Sequence, residues 1–266
     1  MKACQLKLKI SAQVRIKDNY WHCEFSAPQI AKIALPGQFI DIRVNDLCEP
    51  LLRRPISIHG VSRAKIKIFY AVVGKATEIL ARKRTGEYLD IIGPLGSGFA
   101  LGKQKTVNSK QMLVAGGMGV APLMFLAEKL TEGRKQRAEN RITVLIGAKT
   151  KKQLLCADDF KKLGCIVKIA TDDGSQGFHG KVTDLLHNLS SDFRSLPSAI
   201  YACGPKPMLQ AVADISNQRG FPAQLSLEEH MSCGIGACLG CVVKTQAGFK
   251  RVCKEGPVFN SRDLVW

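Results

Sequence analysis

The chain has 266 residues, 45% of them apolar, with ten cysteines and a formal net charge of +17. That length and apolar content support two ordinary domains plus a small module, and no apolar run approaches the roughly 18 residues of a membrane span. The basic residues fall in short dispersed groups at 82–84, 134–137 and 149–152 without interleaved aromatics, which argues against nucleic-acid binding and for a solvated surface that attracts anionic dinucleotides or an acidic partner.

Residues 1–10 alternate polar and apolar in strand fashion and lack the charged start, apolar core and cleavage site of a secretory leader. Through residue 101 the signals are short strands at 7–16, 38–44, 56–61 and 65–71, punctuated by Pro36-Gly37 and by Gly93-Pro94-Leu95-Gly96-Ser97-Gly98, which reads as a turn closing the domain. One helical stretch intervenes near 77–84. An antiparallel β-barrel over residues 1–103 is the simplest architecture.

Within it, Arg53-Arg54-Pro55-Ile56-Ser57-Ile58 places a guanidinium and a hydroxyl on an extended, proline-stiffened segment. Arg54 can make paired hydrogen bonds to phosphate and Ser57 can add another or meet a flavin edge. Alone, such a segment is more often ordinary surface. Tyr70-Ala71-Val72 follows, and then Val73-Gly74-Lys75-Ala76-Thr77 leads into the helix, with Thr77 expected as its cap and the helix start as an anion site.

A polar stretch at 103–110 marks an expected domain boundary, after which the period changes. Residues 112–115 form a buried-type strand, then comes Gly116-Gly117-Met118-Gly119, then a helix with Leu123, Leu126 and Leu130 in register. Further strands are expected at 142–146, 165–170 and 199–202, with a helix at 206–219. This alternation predicts a parallel-sheet α/β domain over 104–224. Gly116, Gly117 and Gly119 stand where bare backbone can approach a pyrophosphate, although the spacing departs from G-x-G-x-x-G and also suits a tight turn. Cys203-Gly204-Pro205 ends a later strand, where open α/β sheets bind ligands, while a lone cysteine there equally suits a small core residue. Asp172-Asp173-Gly174-Ser175 reads as a turn or cap. His22, His59, His179, His187 and His230 show no paired ligand spacing and are read as ordinary polar residues, with His230 near enough in sequence to support the cysteines that follow.

The last module, 225–266, carries the most specific pattern. Cys233, Cys238 and Cys241 follow C-x4-C-x2-C, and Cys253 completes the set. This is the plant-type ligand spacing of a [2Fe-2S] cluster. Gly234, Gly236 and Gly240 are expected at positive φ, aiming amides at sulfur. Structural zinc favours two short knuckles separated by a longer loop, so it is the weaker reading. The other six cysteines, Cys4, Cys23, Cys48, Cys156, Cys165 and Cys203, stand singly, which fits a reducing, cytoplasmic compartment better than a disulfide framework.

The order of an Arg-Pro-x-Ser strand, a Gly-Gly-x-Gly junction with Cys-Gly-Pro, and a ferredoxin-like cysteine set resembles the ferredoxin reductase superfamily. More narrowly, residues 226–241 (SLEEHMSCGIGACLGC), 250–259 (KRVCKEGPVF), 171–175 (TDDGS) and 179–186 (HGKVTDLL) are similar to the electron-transfer subunits of NAD-dependent dihydroorotate dehydrogenase. The resemblance spans the whole chain. It implies a multi-domain architecture: an antiparallel β-barrel flavin domain, a ferredoxin-NADP reductase-like parallel-sheet nucleotide domain, and a small C-terminal iron-sulfur module. It implies FAD along Arg54, Pro55, Ile56 and Ser57, beside Tyr70, Ala71 and Val72, with its pyrophosphate at Ala76 and Thr77. The family usually has glycine where this chain has Ala76, which questions the closeness of backbone approach there. The cluster ligands map onto Cys233, Cys238, Cys241 and Cys253, and the nicotinamide site onto Gly116, Gly117, Gly119, Cys203, Gly204 and Pro205.

The implied activity is electron transfer between NAD and a partner, an FMN-containing dihydroorotate dehydrogenase catalytic subunit, in UMP synthesis, within a heterotetramer of two copies of each chain. FAD exchanges both hydrides and single electrons, so it would join NAD to the one-electron cluster. No dihydroorotate base is visible, so substrate oxidation belongs to the partner. The alternatives are a flavin and iron-sulfur subunit of another NAD(P)-linked reductase, ferredoxin-NADP or sulfide-linked, and a colourless zinc-binding protein.

Overall fold

The computed structural model describes residues 3–101, 110–132, 142–191 and 197–266. The boundary expected at 103–110 lies outside the described residues except for Lys110, and so does the basic group at 134–137.

The first unit runs β1 (Cys4–Lys17), β2 (Tyr20–Ser26), α1 (Pro28–Ala31), β3 (Phe39–Arg43), β4 (Arg54–Ser62), β5 (Lys65–Ala71), α2 (Lys75–Arg82) and β6 (Tyr88–Leu95). Its strands close a barrel in the order β1-β2-β5-β4-β3-β6, each pairing antiparallel. Period-two alternation drives closure: Ile10, Phe25, Ile40, Ile42, Ile58, Ile66 and Ile68 are fully buried together in its core. Two elements differ from expectation. Residues 93–95 continue β6, so the closing turn begins only at Gly96; and α2 starts two residues early, because Gly74 is its N-cap.

The second unit runs β7 (Gln111–Gly116), α3 (Val120–Thr131), β8 (Ile142–Ala148), α4 (Ala157–Lys162), β9 (Ile166–Thr171), β10 (Phe178–His179), α5 (Val182–Ser191), β11 (Ala199–Cys203), α6 (Lys206–Arg219) and β12 (Ala223–Ser226). The last stretch adds β13 (Val242–Thr245), β14 (Gly248–Arg251) and β15 (Val258–Asn260). A seven-stranded sheet has the order β10-β9-β8-β7-β11-β12-β15. All its pairs are parallel except β12 with β15. From β7 the sheet grows one way to β8, β9 and β10 and the other way to β11 and β12, so the strand order reverses between the parallel β7 and β11, which makes their C-terminal ends the switch point. The sheet is thus mixed at one edge, where β15 from the last module pairs with β12.

Helix α3 is apolar and buried from Val120 to Ala127 because sheet and barrel enclose that part, and its polar residues Glu128, Lys129 and Thr131 come only near its end. Leu123, Leu126 and Leu130 pack with the sheet, while Phe125 joins the barrel core. The cysteine module also shares a core with the sheet: Cys241, Val252 and Cys253 pack with Leu225 and Leu227. Among the described residues no helix is long and apolar enough to cross a membrane.

Candidate redox site

A cavity of about 440 Å³ opens where the barrel, α3 and residues 226–231 meet. Arg54, Pro55, Ile56 and Ser57 of β4 form one wall, with Tyr70 and Ala71 of β5 and Thr77 of α2 beside them. All seven belong to the set expected from the sequence. Val72 and Ala76 do not line it. The methyl of Ala76 lies in the barrel core, so it does not stand between the α2 backbone and the cleft.

The sequence reading missed the rest of the lining. Phe39 and Phe69 add aromatic walls, Met118 and Ala121 enter from the glycine junction and α3, and Ser226 to Met231 and Pro257 close the side. Residues 226–231 had been read only as the approach to the cysteines. Their position directly after a sheet strand, at the C-terminal edge where such sheets bind ligands, was the available signal.

Polar groups in the cavity are set by local geometry. Arg54 folds back, its Nη1 donating to the carbonyls of Leu52 at 2.6 Å and Arg53 at 3.1 Å, which fixes the guanidinium at the cavity edge. The Tyr70 hydroxyl accepts from Gln13 Nε2 at 3.0 Å, and burial raises its pKa. Thr77 is not the N-cap. It occupies the third position of α2 and its Oγ1 accepts from the amides of Val73 at 2.9 Å and Gly74 at 3.2 Å. Those two amides are spent, so an anion would meet the first-turn amides of α2 and Arg54 instead. Desolvation raises the Glu228 carboxyl, and burial followed by the charge of Glu228 raises the Cys203 thiol. An apolar, aromatic-walled slot with an arginine and a helix start at one end suits a flat ring carrying a phosphate tail.

At the switch point the two nucleotide motifs lie side by side. Ala115 is in register with Cys203, and any Cβ on Gly119 would overlap the Cys203 carbonyl. A Cβ on Gly116 would meet Met208 Sδ at 2.6 Å, and one on Gly204 would lie 3.0 Å from the Gly116 amide. Gly117 differs: its φ is +53 and nothing lies within 4 Å of a Cβ there, so the space beside it is open. Gly116, Gly119 and Gly204 therefore allow close packing, while Gly117 allows the left-handed turn. Cys203 is buried at 1% exposure and none of Cys203, Gly204 and Pro205 lines the cavity. Asp172 to Ser175 form a turn, Asp173 Oδ1 accepting from the Ser175 amide at 3.0 Å and its hydroxyl at 2.6 Å.

The cysteine loop curls around its sulfurs. The amides of Ala237 and Cys238 donate to Cys233 Sγ at 3.3 and 3.4 Å, that of Gly240 to Cys238 Sγ at 3.4 Å, and that of Cys253 to Cys241 Sγ at 3.4 Å. Left-handed backbone occurs at Gly234 (φ 65), Gly236 (φ 85) and Leu239 (φ 59). Gly240, expected there, is not; the turn falls one residue earlier, and the Gly240 amide is what reaches sulfur. The thiols influence one another electrostatically: Cys238 acts on Cys233, and Cys241 and then Cys233 act on Cys253. Among the described residues no three His, Cys, Asp or Glu side chains converge as a site for one metal ion. The C-x4-C-x2-C spacing with a distal Cys253 suits a two-iron cluster better than a single zinc.

Desolvation opposes a thiolate at Cys233, but the amides of Cys238, Ile235 and Ala237 outweigh it and bring the thiol down to about 6. Burial and the neighbouring Cys241 push Cys253 up to about 12. Arg251 binds the return turn to the loop: Nη1 donates to the Gly236 carbonyl at 2.8 Å, and the side-chain hydrogen bond it gives the paired Glu255 carboxyl holds that group down at about 2. Cys241 and Cys253 are buried, Cys238 is exposed, and Ile235, Leu239 and Phe249 stand out from the module at 51%, 60% and 72% exposure. His230 lines the cavity.

Comparison with known proteins agrees with this geometry. Residues 228–265 match the iron-sulfur cluster binding domain of dihydroorotate dehydrogenase B, and residues 113–214 match the oxidoreductase NAD-binding domain. The dihydroorotate dehydrogenase B (NAD(+)) electron transfer subunit of Desulforamulus reducens is 43% identical over 264 residues, 97% of each chain. That of Geobacillus kaustophilus is 38% identical, covering 97% of this chain and 98% of its own. Among solved structures, an NADH-dependent reduced ferredoxin-NADP oxidoreductase studied for flavin-based electron bifurcation superimposes with a TM-score of 0.81 at 30% identity, over 97% of this chain and 90% of that one. A Neisseria gonorrhoeae ferredoxin NADP+ reductase with bound FAD and NADP shares the fold at TM-score 0.67 and 16% identity, over 81% of this chain and 92% of its own. With a barrel beside a parallel sheet, a Gly-rich switch point and a sulfur-lined loop, and with relatives of this identity along nearly its full length, the chain belongs to the family of dihydroorotate dehydrogenase B (NAD(+)) electron transfer subunits.

Proposed function

We propose that this chain carries electrons between NAD and a partner dihydroorotate dehydrogenase catalytic subunit holding FMN, in pyrimidine synthesis up to UMP. FAD would supply two-electron exchange with NAD and one-electron exchange with a [2Fe-2S] cluster. The observation that carries this reading is a shared cavity: Ser57 and Tyr70 from the barrel and Met118 and Ala121 from the nucleotide unit line the same space. A nicotinamide entering at the glycine junction and a flavin ring on β4 would meet there with water excluded by Phe39, Phe69 and Leu227.

In this reading Arg54 and the start of α2 hold the flavin pyrophosphate, Pro55, Ile56, Ser57 and residues 70–72 flank the ring, and Gly117 offers its amide to the nicotinamide dinucleotide. Gly116, Gly119, Gly204 and Pro205 allow the two turns to meet, and Cys203 packs behind them. Cys233, Cys238, Cys241 and Cys253 hold the cluster. The exposed Ile235, Leu239 and Phe249 form an apolar rim on which the partner docks, flanked by Lys244, Lys250 and Lys254, so an acidic margin on the partner suits it. The functional units are 1–103, 104–224 and 225–266, the complex contains two copies of each chain, and it works in the cytoplasm.

Coexpression with the cognate catalytic subunit tests the reading. The purified complex should show flavin bands over broad cluster absorption and should reduce NAD with dihydroorotate; colourless protein with stoichiometric zinc would sink it. The full-length likeness to a ferredoxin-NADP oxidoreductase chain supports a second reading, a subunit serving a ferredoxin-linked partner. Copurification of that partner, with no dihydroorotate oxidation, would favour it.

A further inference from the structure

Strand β3 carries a buried carboxylate that neither the cavity nor the cysteine set explains. Ile40 and Ile42 enter the barrel core, so Phe39 and Asp41 face the other way. Phe39 lines the cavity. Asp41, about 7 Å farther along the strand, presses on the cysteine loop: a Cβ on Gly234 would collide with Asp41 Oδ2 and sit 3.0 Å from its Cγ. Gly234 directly follows Cys233. Across the ladder, Ser57 is opposite Phe39 and Pro55 opposite Asp41, so this pair of strands runs from the flavin cavity to the sulfur loop.

Asp41 is 1% exposed, and its Oδ1 has no hydrogen-bond partner among the described residues. Arg53, followed by Arg54, is the main cationic influence, and Arg53 Nη1 reaches the Asp41 backbone carbonyl at 3.5 Å, yet its Nη2 pairs with Asp90 Oδ2 at 2.6 Å and its Nη1 also donates to the Asp90 carbonyl at 2.9 Å. The positive charge is shared, and the Asp41 carboxylate is under-compensated. Burying such a group costs stability, and an asparagine of the same shape would fill the space without the charge.

We infer that Asp41 is a positioning residue for the cluster, seating the loop through Gly234 and holding the cluster's reduction potential down by its negative charge. Reduction of the cluster adds one negative charge, which a nearby carboxylate in a low-dielectric seam disfavours; net charge is one of the levers that set such potentials. Arg53 acts with the opposite sign. This inference rests on the iron-sulfur reading.

The test is an anaerobic redox titration of the loaded complex at pH 8, reading the cluster by electron paramagnetic resonance and the flavin by absorbance. Asp41→Asn should raise the reduced-to-oxidised ratio of the cluster about tenfold at fixed potential, 59 mV for a one-electron couple, with the flavin midpoint unmoved. Arg53→Gln should shift the cluster the other way. Purely structural loosening would move both variants in the same direction. A cluster ratio within twofold of wild type in Asp41→Asn, or an unchanged or raised cluster potential in Arg53→Gln, overturns the inference. If Asp41→Asn assembles no cluster, the Arg53→Gln result decides alone. Iron content and the spectrum of the wild type test the iron-sulfur reading separately.

Discussion

All four cysteines of the redox loop lie within residues 233–253, whereas the cavity next to it takes its walls from β3, β4, β5, α2, the start of α3, residues 226–231 and Pro257. The loop is a local object: short spacings, left-handed backbone and amides aimed at sulfur define it before any packing is considered. The cavity is a meeting place, and no single segment contains it. Changes in the loop should therefore remove one function outright, and changes around the cavity should weaken binding by degrees.

Replacing Cys233 by Ser should give the largest effect. Cluster absorbance and electron transfer to the partner should vanish, while stopped-flow reduction of bound flavin by NADH persists; loss of both would show that loop and cavity are not separable. Gly119→Ala comes next, since its Cβ would overlap the Cys203 carbonyl and force α3 away from β11. A destabilisation of about 3 kcal/mol in denaturant unfolding is expected, and an unchanged midpoint would refute the close approach. Arg54→Ala should weaken flavin retention by about 1.5–3 kcal/mol, measured as flavin released on dilution, with cluster iron unaffected.

The smallest effect tests the seam between barrel and α3. His59 is buried, its Nδ1 3.0 Å from the Ala121 carbonyl, with His22 and Phe69 packed around it. Burial, then the neighbouring His22, lower its pKa to about 4. The unfolded chain binds this proton near pH 6.5 and the folded chain does not until about 4, so this histidine's contribution to stability is full above 6.5 and is lost as pH falls towards 4. Unfolding free energies measured across that window should decline with acid, and the decline should be shallower in His59→Gln.

Much of the fold could be read in advance. Helix α6 begins and ends where the periodicity of 206–219 places it, and β5 matches 65–71 residue for residue. The early errors share a cause. Strand β2 is hard to see in the sequence because Tyr20-Trp21-His22-Cys23-Glu24-Phe25 alternates weakly, its half-buried face carrying His22 against Phe69 and His59 of the neighbouring strands. Residues 93–95 looked like a turn because glycine and proline usually break strands, yet at Gly93 the missing side chain makes room for Ile40 Cγ2, 2.7 Å from where a Cβ would be. Thr77 looks like a cap by residue type, but only the three-dimensional start of α2 shows that its Oγ1 reaches back from the third helical position to accept from the amides of Val73 and Gly74.

What the amino-acid order determined alone was whatever depends on near neighbours: the sulfur spacing, the glycine junction, the strand carrying Arg54 and Ser57, and the alternation of strand and helix in the middle of the chain. Tertiary structure decided what depends on distant segments meeting. It turned the methyl of Ala76 into the barrel core, brought Met118 and residues 226–231 to the cavity wall, paired β15 with β12, and set Asp41 beneath Gly234. Local conformation is written in spacing and residue type, but a wall shared by strands far apart in sequence exists only once burial of their apolar faces has closed the barrel against the sheet.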